Sequence, residues 1–436
     1  MREMKNSGVE WIGEIPSTWR VMPLKALFSF GKGLPITKEN LEEAGVPVIS
    51  YGQIHAKWNS GVTTHDNLLR YVNRSYLESN PQSLVQMGDF IMADTSEDRE
   101  GCGNCAYIDV KDVLFAGYHT IILRSNYNAD NKYLAYLFLT DSWRSQIRKS
   151  VSGIKLFSIS RRILGSVSVL LPDNTKPIVH YLDSKCSQID TLIQNVQTQI
   201  EKLKAYKQSL ITEVVTKGLD PTVPMKDSGV DWIGEIPEHW DVVKLKYITK
   251  ISRGLFNHRP RNDSRLYDGE YPFIQTGDVA RSDKYITTYS QTLNELGIKV
   301  SKVFPKGTIT MTIAANVGDV AILNFNAYFP DSVVGFTVKD GYDENYVYYL
   351  FKALKETFVR ASIANTQLNL NIERSKEIRA AISYDTQEQK RIAFHLDKKC
   401  SQIDRLIAIK QAKIEKLEQY KRSLIYEFVT GKKEVV

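Results

Sequence analysis

The chain has 436 residues, of which 42% are hydrophobic and 25% charged, a composition typical of a soluble globular protein with more than one domain. Lysine and arginine number 57 against 50 aspartate and glutamate, and this net charge of +7 permits a nucleic-acid partner without requiring one. There is no apolar run as long as a membrane-spanning helix, no signal-peptide core at the N-terminus, and too few cysteines for a disulfide framework, so we expect a cytoplasmic protein.

The first half of the chain begins with a short signature and continues into a region predicted to mix strands and helices. The signature, residues 5–19, reads KNSGVEWIGEIPSTW. Apolar patterning predicts strands at 46–54, 89–94 and 114–123. Helical spacing of apolar residues predicts a helix over 131–149, with Tyr133, Leu134, Leu137, Trp143 and Ile147 on its buried face.

A long heptad helix ends the first half. Its apolar positions fall into two seams, of which one contains Leu182, Ile189, Val196, Leu203 and Leu210, and the other contains Cys186, Ile193, Ile200 and Val214. Lys207 interrupts the second seam. Sustained heptads predict coiled-coil packing, and about 40 residues at 1.5 Å each would form a rod of roughly 60 Å.

The second half repeats this order. Residues 226–240 read KDSGVDWIGEIPEHW, strands are predicted at 271–279, 307–314 and 335–340, and a helix is predicted at 345–360. The final heptad helix has Leu396, Ile403, Leu417 and Leu424 in one seam, with Cys400, Ile407, Ile414 and Phe428 in the other, and lysines at 410 and 421. Trp11 and Trp232 are 221 residues apart, and Asp183 and Asp397 are 214 apart, so the chain is a tandem duplication.

These repeated motifs identify a family resemblance. The W-I-G-x-I-P-x-x-W signature occurs at 11–19 and 232–240, and each copy is followed by a heptad helix that contains LDSKCSQID (182–190) or LDKKCSQID (396–404). This arrangement resembles the specificity subunit of type I restriction-modification enzymes over essentially the whole chain. The resemblance implies an α/β (α+β) fold in which two pseudo-symmetric target recognition domains are separated by two long helices that form an antiparallel coiled coil.

The resemblance also implies a division of the chain and a function for each part. We expect target recognition domains at 1–174 and 219–386, and conserved helices at 175–218 and 387–436. Each domain would read one half of a split DNA target, and the helices would set the distance between the two half-sites. This is the expected organisation of a DNA specificity protein.

The same resemblance implies that the chain is a non-catalytic subunit. The implied partners are double-stranded DNA, two modification subunits that methylate adenine N6, and restriction subunits that translocate and cleave DNA. S-adenosylmethionine, ATP and magnesium are expected on those partners, with no cofactor and no metal on this chain. In agreement, Asn80-Pro81 continues to Gln82 rather than to a methyltransferase Pro-Tyr, and Gly31-Lys32-Gly33 is no phosphate-binding loop.

Other functions remain open from the sequence. Pro172-Asp173 followed by Asp183-Ser184-Lys185 fits the pattern of a metal-dependent nuclease, but the second copy has Ser383-Tyr384-Asp385 where Pro-Asp would be needed. A specificity subunit of a type II split-site enzyme and a coiled-coil adaptor without a DNA role are further alternatives. Cys102 and Cys105 form a single C-x-x-C without a second pair, so we expect no zinc site.

Two regions in each half have the polar and basic residues that read bases and neutralise phosphates. The first is a predicted strand end with Tyr51, Gln53, His55 and Lys57, matched in the second half by Gln275, Thr276 and Asp278. The second is a turn with Arg144, Arg148, Lys155, Arg161 and Arg162, matched by Arg360, Gln367, Asn369 and Arg374. Lys155 and Gln367 fall at the same step of the turn, where lysine favours guanine and glutamine favours adenine.

The tryptophans of the signature are predicted to have a structural role. The residues concerned are Trp11, Trp19, Trp232 and Trp240. Identical side chains in two domains that read different bases cannot produce the difference in specificity. We therefore expect them to anchor the start of each domain against the helices.

Overall fold

The structure, a computed structural model, describes residues 3–9, 12–126, 131–153, 155–313, 317–364, 368–370 and 372–435, with only the backbone described at 363–364 and 368–370. The chain forms two compact units. The first unit comprises residues 1–196 and 413–436, and the second comprises residues 197–412. Each unit therefore contains part of both long helices. Within the described ranges no helix is both long and apolar enough to cross a membrane.

The first unit combines short strands and short helices with parts of the long helices. Its strands are β1 (Met4–Asn6), β2 (Glu14–Pro16), β3 (Arg20–Pro23), β4 (Phe28–Lys32), β5 (Val46–Ile49), β6 (Arg70–Val72), β7 (Leu84–Val85), β8 (Phe90–Ala93), β9 (Thr95–Ser96), β10 (Cys105–Tyr107), β11 (Leu114–Ala116), β12 (Thr120–Ser125), β13 (Phe157–Ser158) and β14 (Ser168–Leu171). Its helices are α1 (Tyr51–Ile54), α2 (Tyr76–Ser79), α3 (Lys132–Phe138), α4 (Asp141–Ser150), α5 (Arg161–Ser166) and the first part of α6 (Lys176–Lys217).

The second unit repeats most of this order, with an additional strand, β20 (Tyr285–Ile286), at the edge of its larger sheet. Its strands are β15 (Met225–Asp227), β16 (Glu235–Pro237), β17 (Asp241–Lys244), β18 (Thr249–Arg253), β19 (Tyr267–Pro272), β20 (Tyr285–Ile286), β21 (Thr292–Leu293), β22 (Val303–Phe304), β23 (Ile309–Thr312), β24 (Val320–Leu323), β25 (Ala327–Tyr328), β26 (Val333–Val338), β27 (Ser362–Ala364), β28 (Leu368–Leu370) and β29 (Arg379–Ile382). Its helices are α7 (Leu245–Ile248), α8 (Thr276–Arg281), α9 (Glu295–Lys299), α10 (Glu344–Ala353), α11 (Lys355–Ala361), α12 (Ile372–Glu377) and most of α13 (Thr386–Val429).

The sequence duplication is also a duplication of sheets. In the first unit an antiparallel sheet has the strand order β10-β8-β12-β4, and in the second unit a sheet has the order β18-β26-β23-β24-β20. Read from β4 and from β18, the first four strands correspond one to one. The pair β3/β14 likewise corresponds to the pair β17/β29. Strands β8 and β23 are buried along their whole length, which explains their apolar sequences.

Each signature forms a small antiparallel hairpin, β1/β2 in the first unit and β15/β16 in the second. Gly13 and Gly234 have φ values of 67° and 68°, which glycine adopts without strain. Behind the hairpins Trp19 and Trp240 are buried. Each packs edge-to-face on a buried tyrosine of the following helical region, Tyr133 at 6.4 Å and Tyr346 at 6.4 Å respectively. Trp232 is partly buried against the second core, and Trp11 lies outside the described residues.

The long helices pair in antiparallel fashion within each unit. In the first unit Lys421 donates to both carboxylate oxygens of Asp190 at 2.7 Å. In the second unit Lys207 contacts Asp404 at 2.6 Å, and Lys410 donates to Gln199 at 2.6 Å. Residues that lie later in α6 therefore meet residues that lie earlier in α13. Of the predicted seam, Leu182, Ile189, Leu396, Ile403 and Leu424 are buried, while Leu203, Leu210 and Leu417 are partly buried.

The predicted fold class is confirmed, but several predicted elements were wrong in detail. The strands predicted at 46–54 and 271–279 end at Ile49 and Pro272, and a short helix follows each one. The strand predicted at 114–123 is two strands in different sheets, because the chain turns at Gly117–His119 with a left-handed φ of 54° at His119. The helices predicted at 131–149 and 345–360 are each two helices. In the first, Thr140 interrupts the helix because its hydroxyl accepts from the Trp143 backbone and begins α4.

Candidate DNA interface

An aspartate of each long helix holds its unit's globular part in place. In the first unit Asp183 accepts a hydrogen bond from the Tyr136 hydroxyl at 2.6 Å and lies 3.0 Å from the Lys132 ammonium. Burial, and then the bond to Asp183, raise the pKa of Tyr136 far above its ordinary value, so the phenol stays protonated and donates. Asp183 is thus engaged in a tie between α3 and α6. This engagement speaks against the nuclease pattern, and Asp173 is exposed on the preceding loop.

The second unit has the same tie at the equivalent residues. Asp397 accepts from the Tyr349 hydroxyl at 2.7 Å and from Lys284 at 2.5 Å. Burial and this hydrogen bond raise the pKa of Tyr349 in the same way. Because the tyrosine and the aspartate are repeat-equivalent, the duplication has retained the way in which a globular part is attached to its helix.

Aromatic side chains from distant parts of the sequence meet at one end of a parallel strand pair in the first unit. Strands β5 and β11 run parallel, with Ile49 opposite Ala116, so the residues that follow both strands lie at the same end. Tyr51 follows β5, and its ring lies 5.7 Å from that of Tyr118 and 5.6 Å from that of His119. We call this group, with His55, the aromatic end of the first unit.

Of the other predicted residues of this region, Gln53 lies on α1, and His55 and Lys57 follow this helix. Gln53 closes a capping box by accepting from the Ser50 backbone at 3.2 Å. His55 contacts the Thr95 carbonyl at 2.9 Å, and Lys57 is exposed. Tyr118 and His119 were missed by the sequence reasoning, because a single strand was predicted through 114–123, although Gly117 could have indicated a turn there.

The second unit has a polar end at the equivalent place. Phe273 and Tyr328 form a parallel bridge, so the residues that follow them lie together. Gln275 caps α8, its amide donates to Gln291 at 2.9 Å, and Thr276 is partly exposed. Asp278 is buried, and its carboxylate accepts from the Gln275 backbone at 2.9 Å and from Arg281 at 2.6 Å. This capping role argues against a contact between Asp278 and a base.

An arginine-rich loop adjoins the polar end and was also missed from the sequence. Residues 257–265 read NHRPRNDSR. Arg261 holds both carboxylate oxygens of Asp331 at 2.7 and 2.8 Å, and Asp331 is the counterpart of Tyr118 by the strand alignment. Hydrogen bonds from Arg265, and then from its backbone, lower the pKa of Asp263, which also lies 2.9 Å from His258. The density of basic residues in this loop is the signal that could have found it.

The predicted basic turn of the first unit divides into engaged and exposed residues. Arg148 donates to Asp141 at 3.0 Å and to the Glu100 carbonyl at 2.8 Å, and Arg144 donates through Nε to the Phe138 carbonyl at 2.8 Å. Lys155 is exposed, and so are Arg161 and Arg162 at the start of α5. Exposed cations can reach DNA phosphates directly, whereas Arg148 would first have to release its partners.

The corresponding region of the second unit is described only in part. Arg360 and Arg374 are exposed, and Arg360 lies 3.6 Å from Glu356. Asn369 lies on β28, for which only the backbone is described, and Gln367 lies outside the described residues. The comparison of Lys155 with Gln367 therefore stays a prediction.

The cysteines do not suggest a metal site. Cys102 and Cys105 are buried, and burial raises the pKa of the Cys105 thiol to about 12. Cys186 and Cys400 are buried on the long helices. In the part of the chain that the structure describes, no three or more His, Cys, Asp or Glu side chains form a group that could hold a metal ion.

A frame that occurs twice, with unlike polar surfaces at equivalent ends, is the architecture of a DNA specificity protein with two recognition regions. The profile of the type I restriction modification DNA specificity domain matches residues 16–202 and again 237–419, and the chain belongs to this family. It is a type I restriction-modification specificity subunit with two DNA recognition domains.

Named relatives and a solved structure agree with this family. The chain is 27% identical over 428 residues to the putative type I restriction enzyme MjaX specificity subunit of Methanocaldococcus jannaschii, covering 97% of this chain and 95% of the relative. It is 25% identical to the MjaVIII specificity subunit of the same organism, covering 70% of each. A solved structure that concerns complex assembly and conformational transition of the type I R-M system has a similar fold, with a TM-score of 0.70. The sequence identity is 16%, and the match covers 95% of this chain and 98% of that chain.

Proposed function

We propose that residues 1–174 read one half of a split DNA target, that residues 219–386 read the other half, and that the chain has no catalytic activity of its own. One observation carries this proposal. The ties to the helices are repeat-equivalent in the two units, whereas the equivalent strand ends hold Tyr51 and Tyr118 in one unit and Thr276 and Asp331 in the other. Surfaces that differ on a retained frame suit two readers of different base sequences.

The test of two separate readers uses the complex assembled with its modification subunits. Methylation is measured on a panel of targets, each with one base pair changed. Lys155→Ala should relax discrimination in one half-site only, and Gln367→Ala in the other half-site only, each by about 1–3 kcal/mol per affected base pair. Lys202→Ala, an exposed cation on α6, is the control and should relax neither half-site. If both reader variants relax the same half-site, the assignment of one domain to each half-site is wrong.

We further propose that two copies of one partner, the modification subunit, bind to the duplicated helix surface, and that S-adenosylmethionine, ATP and magnesium act on partner subunits. Leu192 and Leu406 are repeat-equivalent, and each is 47% exposed. Tyr206 and Tyr420 are also repeat-equivalent, with exposures of 57% and 56%. Large apolar side chains kept at equal exposure in two copies suit a partner that binds twice.

The helix register places these residues in pairs. In the first unit Asp190 meets Lys421, so Leu192 and Tyr420 stand at the same level of the helix pair. By their heptad positions, Leu192 and Tyr420 lie on the side of the helix pair that is opposite the Asp190–Lys421 contact. The second unit repeats this arrangement, with Leu406 and Tyr206 at the level of the Asp404–Lys207 contact.

Native mass spectrometry of the assembled complex tests this docking surface. Leu192→Ala with Tyr420→Ala should remove one modification subunit, Leu406→Ala with Tyr206→Ala should remove one, and all four changes should remove both. Leu296→Ala, at an exposed site outside the long helices, is the matched control. Full occupancy by two modification subunits in the fourfold variant would contradict the proposed surface.

Incubation of the chain alone with DNA and magnesium should give no cleavage, and cleavage that requires Asp183 would refute the non-catalytic assignment.

A further inference from the structure

A cavity of about 560 Å³ lies in the first unit, against α1, α4 and the last turns of α13. Apolar side chains that include Ile54, Leu139 and Ile425 form part of its wall. Two arginines, Arg144 of α4 and Arg422 of α13, also line it. The volume is within the range of small-molecule binding sites, about 300–1,000 Å³.

Arg144 is placed to donate into this cavity. Its Nε–H donates to the Phe138 carbonyl at 2.8 Å, which fixes the guanidinium, and among the described residues no hydrogen bond or ion pair reaches its two terminal amino groups. Partial burial lowers the pKa of Arg144, while the nearby Asp141 carboxylate opposes this shift. Arg144 is partly buried, and its terminal N–H groups are available to a ligand that enters the cavity.

The other charges around the cavity leave a positive excess. Asp141 lines the wall, but its carboxylate is paired with Arg148 at 3.0 Å. Lys421 is paired with Asp190 at 2.7 Å. Arg422 also lines the cavity, is exposed, and has no carboxylate partner within the described ranges. The cavity is therefore lined by more positive than negative charge, with Asp141 shared between Arg148 and the neighbouring Arg144.

The second unit shows that the fold does not need these arginines. The ring pairs Phe138–Trp143 and Phe351–Phe358 are equivalent, so Val359 stands where Arg144 stands in the first unit. Gln208 is the repeat counterpart of Arg422, and its amide donates to the Lys352 carbonyl at 3.1 Å. In the second unit, therefore, the counterpart of Arg144 is the apolar Val359. The counterpart of Arg422 is the neutral Gln208, which makes a hydrogen bond within the unit.

We propose that this cavity binds a phosphate group, with Arg144 donating two N–H groups to its oxygens and Arg422 supplying the second cation. A planar guanidinium matches phosphate oxygens in a bidentate geometry. The phosphate has two possible sources, a phosphodiester of bound DNA or a small phosphorylated molecule. The site does not depend on the proposed reading of half-sites, because its first test uses no DNA.

The first experiment measures binding of inorganic phosphate to the full chain by calorimetry and by thermal unfolding, against chloride at matched ionic strength. Phosphate should raise the unfolding temperature of the wild-type chain, as a ligand of the folded state does. Arg144→Gln should weaken phosphate binding by about tenfold, since it removes the charged bidentate contact. Arg422→Gln, which installs the residue found in the second unit, should weaken it by a smaller factor.

Two further variants serve as controls for misfolding and for general effects of charge. Arg144→Lys keeps the charge but not the bidentate geometry, so it should bind phosphate with an intermediate affinity. Arg405→Gln removes an exposed cation of α13 in the second unit and should leave phosphate binding unchanged. A wild-type chain that responds to phosphate no more than to chloride, or an Arg144→Gln chain that binds as wild type, overturns the proposal.

A second experiment distinguishes the two sources of phosphate. Binding of a non-specific duplex is measured as a function of salt for the wild type and Arg144→Gln. If the phosphate belongs to DNA, the variant should lower the magnitude of the log–log salt slope by about one, and inorganic phosphate should compete with the duplex. If it belongs to a small molecule, duplex binding should be unchanged while phosphate binding is lost. Either result supports the site, and it is independent of which unit reads which half-site.

Discussion

The two units share their attachment to the long helices and differ in the side chains that they present. The ties Tyr136–Asp183 and Tyr349–Asp397 have nearly equal lengths of 2.6 and 2.7 Å. At the equivalent strand ends, however, one unit has tyrosine and histidine rings, and the other has an Asp331–Arg261 ion pair next to an arginine-rich loop. The duplication has thus kept the contacts that attach each unit to its helices, while the side chains at the equivalent strand ends differ.

Under the proposed function, the two surfaces would make different kinds of contact with DNA. The aromatic end of the first unit offers ring faces and edges, which favour apolar contact with bases and thymine methyl groups. The loop at 257–265 offers guanidinium groups, which favour phosphate oxygens and guanine. The strand ends beside these surfaces correspond, because the parallel pairing of β5 with β11 is matched by the parallel bridge between Phe273 and Tyr328.

The largest effect is expected from the shared tryptophans. Trp19→Ala and Trp240→Ala should each lower the free energy of unfolding by about 3–5 kcal/mol, because each removes a buried ring from a core. Trp240→Ala also removes the hydrogen bond that Trp240 donates through Nε1 to Glu388 at 3.0 Å. Hydrogen exchange read by mass spectrometry should show faster exchange in the unit that contains the substitution.

The matched control for the tryptophans is Trp58→Ala, which removes an exposed ring of the first unit and should change stability little. An equal increase of hydrogen exchange in both units, caused by either tryptophan variant, would contradict this prediction. The cores would then not be independent.

A smaller effect is expected where the units differ. His119→Ala and Arg265→Ala should each weaken methylation of targets that keep the contacted base pair. Each should also relax discrimination at that base pair by about 1–3 kcal/mol. The two variants should act on different half-sites. His119 belongs to the aromatic end, and Arg265 lies on the arginine-rich loop with an exposed guanidinium. Methylation by the assembled complex on single-base variants is the measurement. Arg391→Ala on α13 is the control, and a shared half-site for the two reader variants contradicts separate surfaces.

Local patterns in the sequence predicted the frame, whereas contacts between distant segments were not readable. Heptads predicted both long helices, and the interrupting lysines 207 and 421 proved to form the ion pairs between the helices. The Ser50–Gln53 capping box follows the S-x-x-Q pattern, so α1 could have been predicted in place of a longer strand. The meeting of Tyr51 with Tyr118 depends on the parallel pairing of β5 with β11, which no local pattern encodes. Likewise, the engagement of Arg148 depends on a carbonyl 48 residues away.

The ties to the helices should respond alike in both units. Asp183→Asn and Asp397→Asn each remove a charged acceptor from a tyrosine and a lysine, and both aspartates are more than a third exposed. We expect a loss of about 1–2 kcal/mol in each unit, at the lower end for hydrogen bonds to charged groups because of this exposure. Chemical denaturation followed by hydrogen exchange within each unit is the measurement. Tyr136→Phe and Tyr349→Phe should account for part of each loss, and a large effect in one unit alone would show that the ties are not equivalent.

The smallest effect is expected at the lysines that interrupt the heptad seams. Lys207 and Lys421 occupy apolar positions of the coiled coil, yet their aspartate partners are more than half exposed, so each ion pair contributes little to stability. Lys207→Met and Lys421→Met should therefore leave the unfolding free energy unchanged or raise it by up to about 1 kcal/mol. The lysines would then act mainly on register, since a polar residue at a core position disfavours other alignments of the two helices. Thermal unfolding tests the first point, and size-exclusion chromatography with light scattering of the double variant tests the second. A double variant that remains a single monomeric species but loses several kcal/mol would show that the ion pairs stabilise the helices after all.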